Sequence, residues 1–538
     1  MKKYWLLAAG LFWIFGAVAQ TLTSSNLPII IINTHGQEIL DDPKITADMG
    51  IINNAPGIRN NITDPFNQYN GKIGIELRGQ STQMFPMKAY GIELRDAAGN
   101  SQDKSLFGLP KESDWVLYPP YNEKTLMHNF LAYTMSREMG HWAANCRYVE
   151  VIVNGDYRGI YVFMEKIKRN SGRVNIPKLA TTDVDGDAVT GGYIFSIDKD
   201  ADGWFSAFKP GLGNQQIQFS YVYPKVTALV PQQANYIKNY TDSFEKALFA
   251  GNYQDPQNGW RRFADENSFL DYFIVNEISH NVDGYRLSSY FYKDRDSKGG
   301  KITAGPVWDY DLAFRNANYC SGSDSTGWAW QFNGICPDDF WQVPFWWNRF
   351  LNDTAFTAHL RCRWKQLRQT TLSQSHFEHL IDSISTLTAE ARGRHFVRWP
   401  VLGVYVWPNP APIAADYEGE IRTLKTWLSA RLNWIDRNLP NVGACSDYPA
   451  GVSASIIPSI YPNPSQSAYT LRVQSKEAQS LLLKIFNTSG QLMTTRQFDL
   501  QKGFNYYTLD ASRWQAGAYF LHLQSGLGDK ALEKLLKE

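Results

Sequence analysis

The apolar period of the chain changes partway along, and this bounds the folds open to it. Two runs of alternating apolar and polar residues, 72–78 and 89–95, are joined by a polar loop that begins at Arg78-Gly79 and ends at Pro86. A period of two is the mark of a strand, so the pair reads as a hairpin. A helical stripe of Leu126, Phe130, Leu131, Tyr133 and Met135 follows over 123–139, closed by Gly140. Strands at 148–153 and 159–164 then turn about Asn154-Gly155-Asp156 and run into a polar exit at Glu165-Lys166. Beyond residue 196 the spacing becomes helical, over 231–250 and 268–279. The expectation is an α+β chain, strand-rich over about 27–170 and largely helical over 171–439.

Of 538 residues, 43% are hydrophobic and 20% charged, which excludes both a disordered chain and a bundle of membrane helices. A net charge of +1 supplies no field for steering nucleic acid, so no nucleic-acid partner is expected. Lys2 and Lys3, an apolar run over 4–18 and Ala17-Val18-Ala19 have the order of a secretory signal peptide, 1–19. The run is too short to span a bilayer, and no later segment looks membrane-spanning, so the mature chain is expected to carry no transmembrane span. An exported chain tolerates disulfides, and Cys320 and Cys336, 16 apart in a Gly/Ser/Trp-rich loop, are placed to be stapled. No CxxC spacing exists, which argues against zinc. Residues 440–457 read as a linker, and short strands at 469–473, 480–487, 504–509 and 518–523, with a turn at Thr488-Ser489-Gly490, make 458–538 a small β-sandwich.

The chemistry concentrates in two places. Asn281-Val282-Asp283-Gly284 leads into a hairpin of strands 290–293 and 301–307, and the hairpin ends at Trp308-Asp309-Tyr310-Asp311-Leu312. In an extended segment Asp309 and Asp311 face one side, a costly arrangement without a cation, so a metal site is favoured over two solvated loop carboxylates. Asp283 alone also suits a turn that caps its own backbone. The acidic run from Asp198 to Asp202 imitates a calcium loop, but Lys209 stands where the bidentate Glu belongs, and a polar turn is expected. Five Trp over 328–347 suit a sugar platform or an aromatic core; Phe340, Phe345 and Phe350 among them favour the core.

Arg78-Gly79-Gln80-Ser81 with Phe85-Pro86 and Lys88, Trp115-Val116-Leu117-Tyr118, Gly192-Tyr193-Ile194, 281–290 and 305–314 together resemble the spore coat protein CotH kinase family over 27–439. The resemblance implies a two-lobed, protein-kinase-like fold, secreted or at the surface. It also implies use of ATP with Mg or Mn to phosphorylate Ser or Thr hydroxyls of a protein substrate. By it Lys88 pairs with the nucleotide phosphates, Asp283 is the catalytic base, Asp309 binds metal with help from Asp311, and Glu165 and Lys166 form the hinge that meets adenine. Ser288 stands where kinases place a metal-binding Asn, and no GxGxxG loop precedes the hairpin, so Arg78, Gln80 and Ser81 would hold the phosphates. Glu138 is the candidate helix partner of Lys88. The alternatives are a surface adhesion or carbohydrate-binding protein with a silent kinase fold, or a glycoside hydrolase using Asp283 and Asp309. Tyr461-Pro462-Asn463-Pro464, Asn487-Thr488-Ser489-Gly490-Gln491 and the closing Lys534-Leu535-Leu536-Lys537 resemble the C-terminal sorting domain of the type IX secretion system, which implies that machinery as a partner.

Overall fold

The computed structural model describes residues 22–440 except 56, 200–201 and 211–214, residue 445, and residues 456–537 except 462–464, 466, 476, 488–490 and 527–529. The expected signal peptide, most of the linker and the Thr488-Ser489-Gly490 turn lie outside them. The chain divides into two compact units, 1–443 and 444–538.

In the first unit, seven strands close into a barrel: β1 (Ile29–Asn33), β2 (Ile45–Ile52), β3 (Tyr69–Arg78), β4 (Ala89–Arg95), β5 (Asp114–Tyr118), β6 (Cys146–Val153) and β7 (Asp156–Glu165). The order is β1-β2-β3-β4-β5-β7-β6, and parallel pairing of β1 with β6 completes the circle. Closure leaves no free edge to cap, and it buries one face of every strand around Ile30, Ile73, Ile92, Leu117, Val151 and Phe163. The two expected hairpins are β3–β4 and β6–β7; the apolar β1 and β2 that close the ring carry too little alternation to stand out. Helix α1 (His128–Glu138) is shorter than its 123–139 stripe. The Glu123 carboxylate takes the backbone N–H groups of Thr125 and His128, satisfying donors at the helix start from upstream.

A second sheet has the order β9-β10-β8-β11-β12, from β8 (Tyr193–Ile197), β9 (Gly203–Phe205), β10 (Gln218–Tyr223), β11 (Ser289–Lys293) and β12 (Ile302–Ala304). Around it lie α2 (Pro231–Phe249), α3 (Glu266–Ser279), α4 (Thr354–Arg368), α5 (Gln374–Arg398) and α6 (Tyr417–Asn438). Helix α1 packs on α3, and α5 on β7, tying barrel and helices together. Trp346 and Trp347 are fully buried, while Phe340 is exposed, so the aromatic segment is core at one end only. Cys320 and Cys336 are bonded, as their loop suggested.

Inside α2, Glu245 is buried and accepts from Ser206 Oγ and from Trp346 Nε1 at 2.9 Å, and burial pushes its carboxyl up to about 7. An acid raised in the folded state stabilises the fold at low pH and loses that contribution as pH climbs through the folded value. Glu245→Gln is therefore expected to raise stability above pH 8 by on the order of 3 kcal/mol. Urea titrations at pH 5 and pH 8.5 check this, the gain appearing only at the higher pH.

In the second unit, β13 (Ile456–Tyr461), β14 (Ala468–Ser475) and β17 (Gly503–Asp510) form one antiparallel sheet in the order β13-β14-β17. β15 (Gln479–Asn487), β16 (Leu492–Leu500), β18 (Gly517–Ser525) and β19 (Lys530–Lys537) form the other, in the order β16-β15-β18-β19. Leu471, Val473, Leu483, Leu521 and Leu535 fill one common core.

Candidate active site

A cleft of about 260 Å³ opens between the barrel and the second sheet. From the barrel come Arg78 and the turn Gly79 to Thr82, with Val116, Tyr118 and Met164; from the other side come Asp198, Asp283, Ser288, Asp309 and Asp311. The turn has a steric reason for Gly79: its φ is +81°, and a Cβ there would sit 2.0 Å from Thr82 Oγ1.

The acidic side is built on strained backbone. Helix α3 ends at His280 in the left-handed region (φ 44°), and the loop continues through Tyr285 (φ 71°) and Ser288 (φ 45°). A Cβ on Gly284 would lie 2.7 Å from Asn276 Oδ1 on α3, so only glycine lets the loop approach the helix this closely. Asp283 Oδ1 accepts from Arg286 Nη2 at 2.8 Å, and Arg286 Nη1 in turn reaches Asp339 at 3.2 Å. Asp309 also has positive φ, 65°, which corrects the extended geometry expected for 308–312: Trp308 and Leu312 line the cleft with the two acids. The acids meet because α1 holds the segment, Tyr133 Oη accepting from Asp309 N (3.2 Å) and Asn129 Oδ1 from Tyr310 N (2.7 Å). Strain of this kind persists only where surrounding contacts fix it, and it clusters at working sites.

Electrostatics follow from this crowding. Asp309 is exposed in the cleft, yet desolvation by the surrounding walls, then the charges of Asp311, Asp283 and Asp198, hold it above the usual carboxylate range, with Arg78 opposing. Burial and Asp283 push Asp311 up to about 6, against a hydrogen bond from Asn122 Nδ2 (3.3 Å). Asp198 is raised by burial and by Asp283. Four carboxylates share the cleft with the Arg78 guanidinium, which lies over the Trp308 ring at 5.7 Å, and with Lys199.

Some of the residues assigned from the sequence border the cleft and others do not. Arg78, Gln80, Ser81, Asp283, Ser288, Asp309 and Asp311 all border the cleft. Lys88 does not: its ammonium donates to the Gln83 carbonyl at 2.6 Å. The cause is register, because Arg78 pairs with Ala89 and strand neighbours face opposite ways, so Arg78 and not Lys88 reaches the cleft from the barrel side. Glu138 bonds His376 at 2.7 Å and is no partner of Lys88. By the same alternation Met164 faces the cleft, whereas the Glu165 carboxylate accepts from Asn145 N and Nδ2 at 2.9 and 2.8 Å. Lys166 is pushed down by burial and by the nearby Arg78 charge. Asp198, set aside in the sequence as part of a polar turn, stands at the end of β8 inside the cleft, 3.5 Å from Ser288 Oγ.

The residues fit a metal-bound nucleotide. Net negative charge around Asp309 and Asp311 calls for a cation, and Thr82 Oγ1 and Tyr118 Oη are buried without partners among the described residues, free to meet phosphate oxygens. Among the described residues no group of three or more His, Cys, Asp or Glu is arranged to hold a metal by itself. Magnesium bound through one or two carboxylates together with phosphates needs no such cage.

The family described as CotH kinase protein matches residues 75–435, and the secretion system C-terminal sorting domain matches 459–538. No curated protein matches the chain. Among solved structures, dimeric latent PorU from Porphyromonas gingivalis is 13% identical over 15% of this chain and 9% of that one, with a TM-score of 0.14, too slight a likeness to carry an argument. No helix among the described residues is long and apolar enough to cross a membrane, and the sorting domain directs the protein to secretion or the cell surface through the type IX machinery. On a match covering about two thirds of its length, the chain belongs to the CotH kinase protein family.

Proposed function

We propose that the first unit is a two-lobed, kinase-like phosphotransferase that moves the γ-phosphoryl group of ATP to a Ser or Thr hydroxyl of a protein. The observation that carries this is one guanidinium and the Asp283, Asp309 and Asp311 carboxylates gathered around a single cleft. The barrel would be the small lobe over about 27–170, and the adenine would lie against Val116 and Met164 beside the Glu165-Lys166 exit. Arg78 and the Gly79 to Thr82 turn hold the phosphates. Asp283, oriented by Arg286, accepts the acceptor hydroxyl proton as that oxygen bonds to the γ-phosphorus and the bond to the bridging oxygen breaks, ADP leaving with the electron pair. Asp309 and Asp311 are the residues that would hold magnesium or manganese. A bound divalent cation neutralises phosphate charge there. Asp198 occupies the neighbourhood of Ser288, which stands in place of the usual Asn.

The test is transfer of label from γ-labelled ATP to added protein substrates, or to the chain itself, with magnesium or manganese. Asp283→Ala is expected to abolish transfer while leaving nucleotide binding. Arg78→Ala is expected to weaken nucleotide binding by about tenfold or more, the worth of a charge-assisted contact, and Lys88→Ala to change it less than twofold. Equal losses in the two cation variants would return the phosphate role to Lys88. Wild-type protein that binds no nucleotide would favour the adhesion reading.

A further inference from the structure

We infer that the first unit carries a second ligand pocket, separate from the cleft, for an uncharged, ring-sized molecule bearing one hydrogen-bond acceptor. The pocket is a cavity of about 170 Å³ that shares no lining residue with the cleft. A cavity of about 150 Å³ with apolar walls takes up benzene, so one ring fits. Its apolar walls are Tyr272 and Val275 on α3, Val174, and Pro306 with Val307.

The charged groups in the wall are already committed. Asp271 accepts from His141 Nε2 and from Arg363 Nε and Nη2, each at 2.8 Å. Arg173 donates to the carbonyls of Lys166 (3.0 Å) and Asp114 (2.9 Å), lies over the Trp115 ring at 4.9 Å, and turns its Nε toward Glu165 at 3.7 Å. Two buried donors of wall residues have no hydrogen-bond partner among the described residues, the Nε of Arg173, which faces Glu165, and the indole N–H of Trp142; the indole is the one not facing a carboxylate. A charged ligand would face charges already neutralised, whereas a carbonyl on a ring satisfies the indole and fills the apolar space. The wall at 304–307 runs directly into Trp308 and Asp309, so an occupant bears on the segment that carries the acids of the cleft. Binding in this pocket is independent of what the cleft catalyses.

The experiment is a titration of the mature full-length chain, with ¹⁵N-labelled indoles, by benzamide, sodium benzoate and toluene, followed by NMR. The Trp142 indole resonance is the one missing from Trp142→Phe. Benzamide is expected to shift it saturably, with a dissociation constant of about 1 mM, as suits so small a ligand, while benzoate and toluene bind at least fivefold more weakly. Ala304→Leu, which fills part of the cavity, is expected to lose the shift; if that variant does not fold, benzamide protection of the wild-type Trp142 N–H from hydrogen exchange supplies the second readout. A Trp142 resonance that stays fixed through the titration, tighter binding of benzoate, or an unchanged shift in folded Ala304→Leu would each overturn the inference.

Discussion

Asp309→Asn is expected to make the protein more stable and inactive at once. In metal-free buffer Asp311 is buried and Asp309, exposed in the cleft, is crowded by three further carboxylates, so each resists ionisation, and the fold loses stability as pH rises from about 4 through the Asp311 value of about 6. Asparagine keeps the shape, tolerates the positive φ of 65° better than alanine does, and removes one of the repelling charges. The thermal midpoint of the metal-free variant should exceed that of wild type at pH 7.5, and the decline with rising pH should flatten. Saturating manganese should raise the wild-type midpoint and leave the variant unmoved, because only the wild type gains binding free energy. Phosphoryl transfer should fall about 10²- to 10³-fold or more, the usual size of a lost charge-stabilising group. A variant that melts lower at pH 7.5 in metal-free buffer would show that Asp309 is instead satisfied within the fold.

The second large effect lies outside the cleft. Arg431 on α6 and Glu277 on α3 are almost wholly buried, joined at 3.0 Å, and Arg431 also donates to the Glu277 carbonyl (2.6 Å) and to the Gly327 carbonyl (2.6 Å). Glu277 further accepts from Tyr285 Oη and from the backbone of Ala329 and Trp330. The pair therefore fastens the loop that carries Asp283, through Tyr285, to the helical core. Arg431→Met leaves Glu277 buried without its counter-charge and is expected to cost about 3–5 kcal/mol. Pairing it with Glu277→Gln should recover part of that, since no naked charge remains. Urea denaturation checks both; a single variant within 1 kcal/mol of wild type would show that the carboxylate is content with its backbone donors alone.

Local pattern carried the expectations well where one face of an element is wet. Strands 72–78 and 89–95 alternate visibly, and the observed strands begin or end within a few residues of them. The run Ile29-Ile30-Ile31-Ile32 alternates little, and it sits in a closed barrel, where strand pattern is weakest. That Asp283 and the pair Asp309 and Asp311 would come to one place was legible because a hairpin joins the two segments. Asp198 was not, because its neighbours Lys199, Asp200 and Asp202 imitate a turn and only the β8–β11 pairing brings it beside Ser288. Lys88 was misplaced for a reason the sequence holds: in a hairpin where Arg78 opposes Ala89, those two share a face and Lys88 takes the other.

The most direct measurement is an anomalous-scattering map of the mature protein crystallised with manganese and a non-hydrolysable ATP analogue. Expected is a manganese peak within metal–oxygen bonding distance of Asp309, with the phosphates reaching Arg78 and Lys88 still on the Gln83 carbonyl. Nucleotide bound elsewhere, or an occupied cleft whose metal touches neither Asp309 nor Asp311, would contradict the assignment.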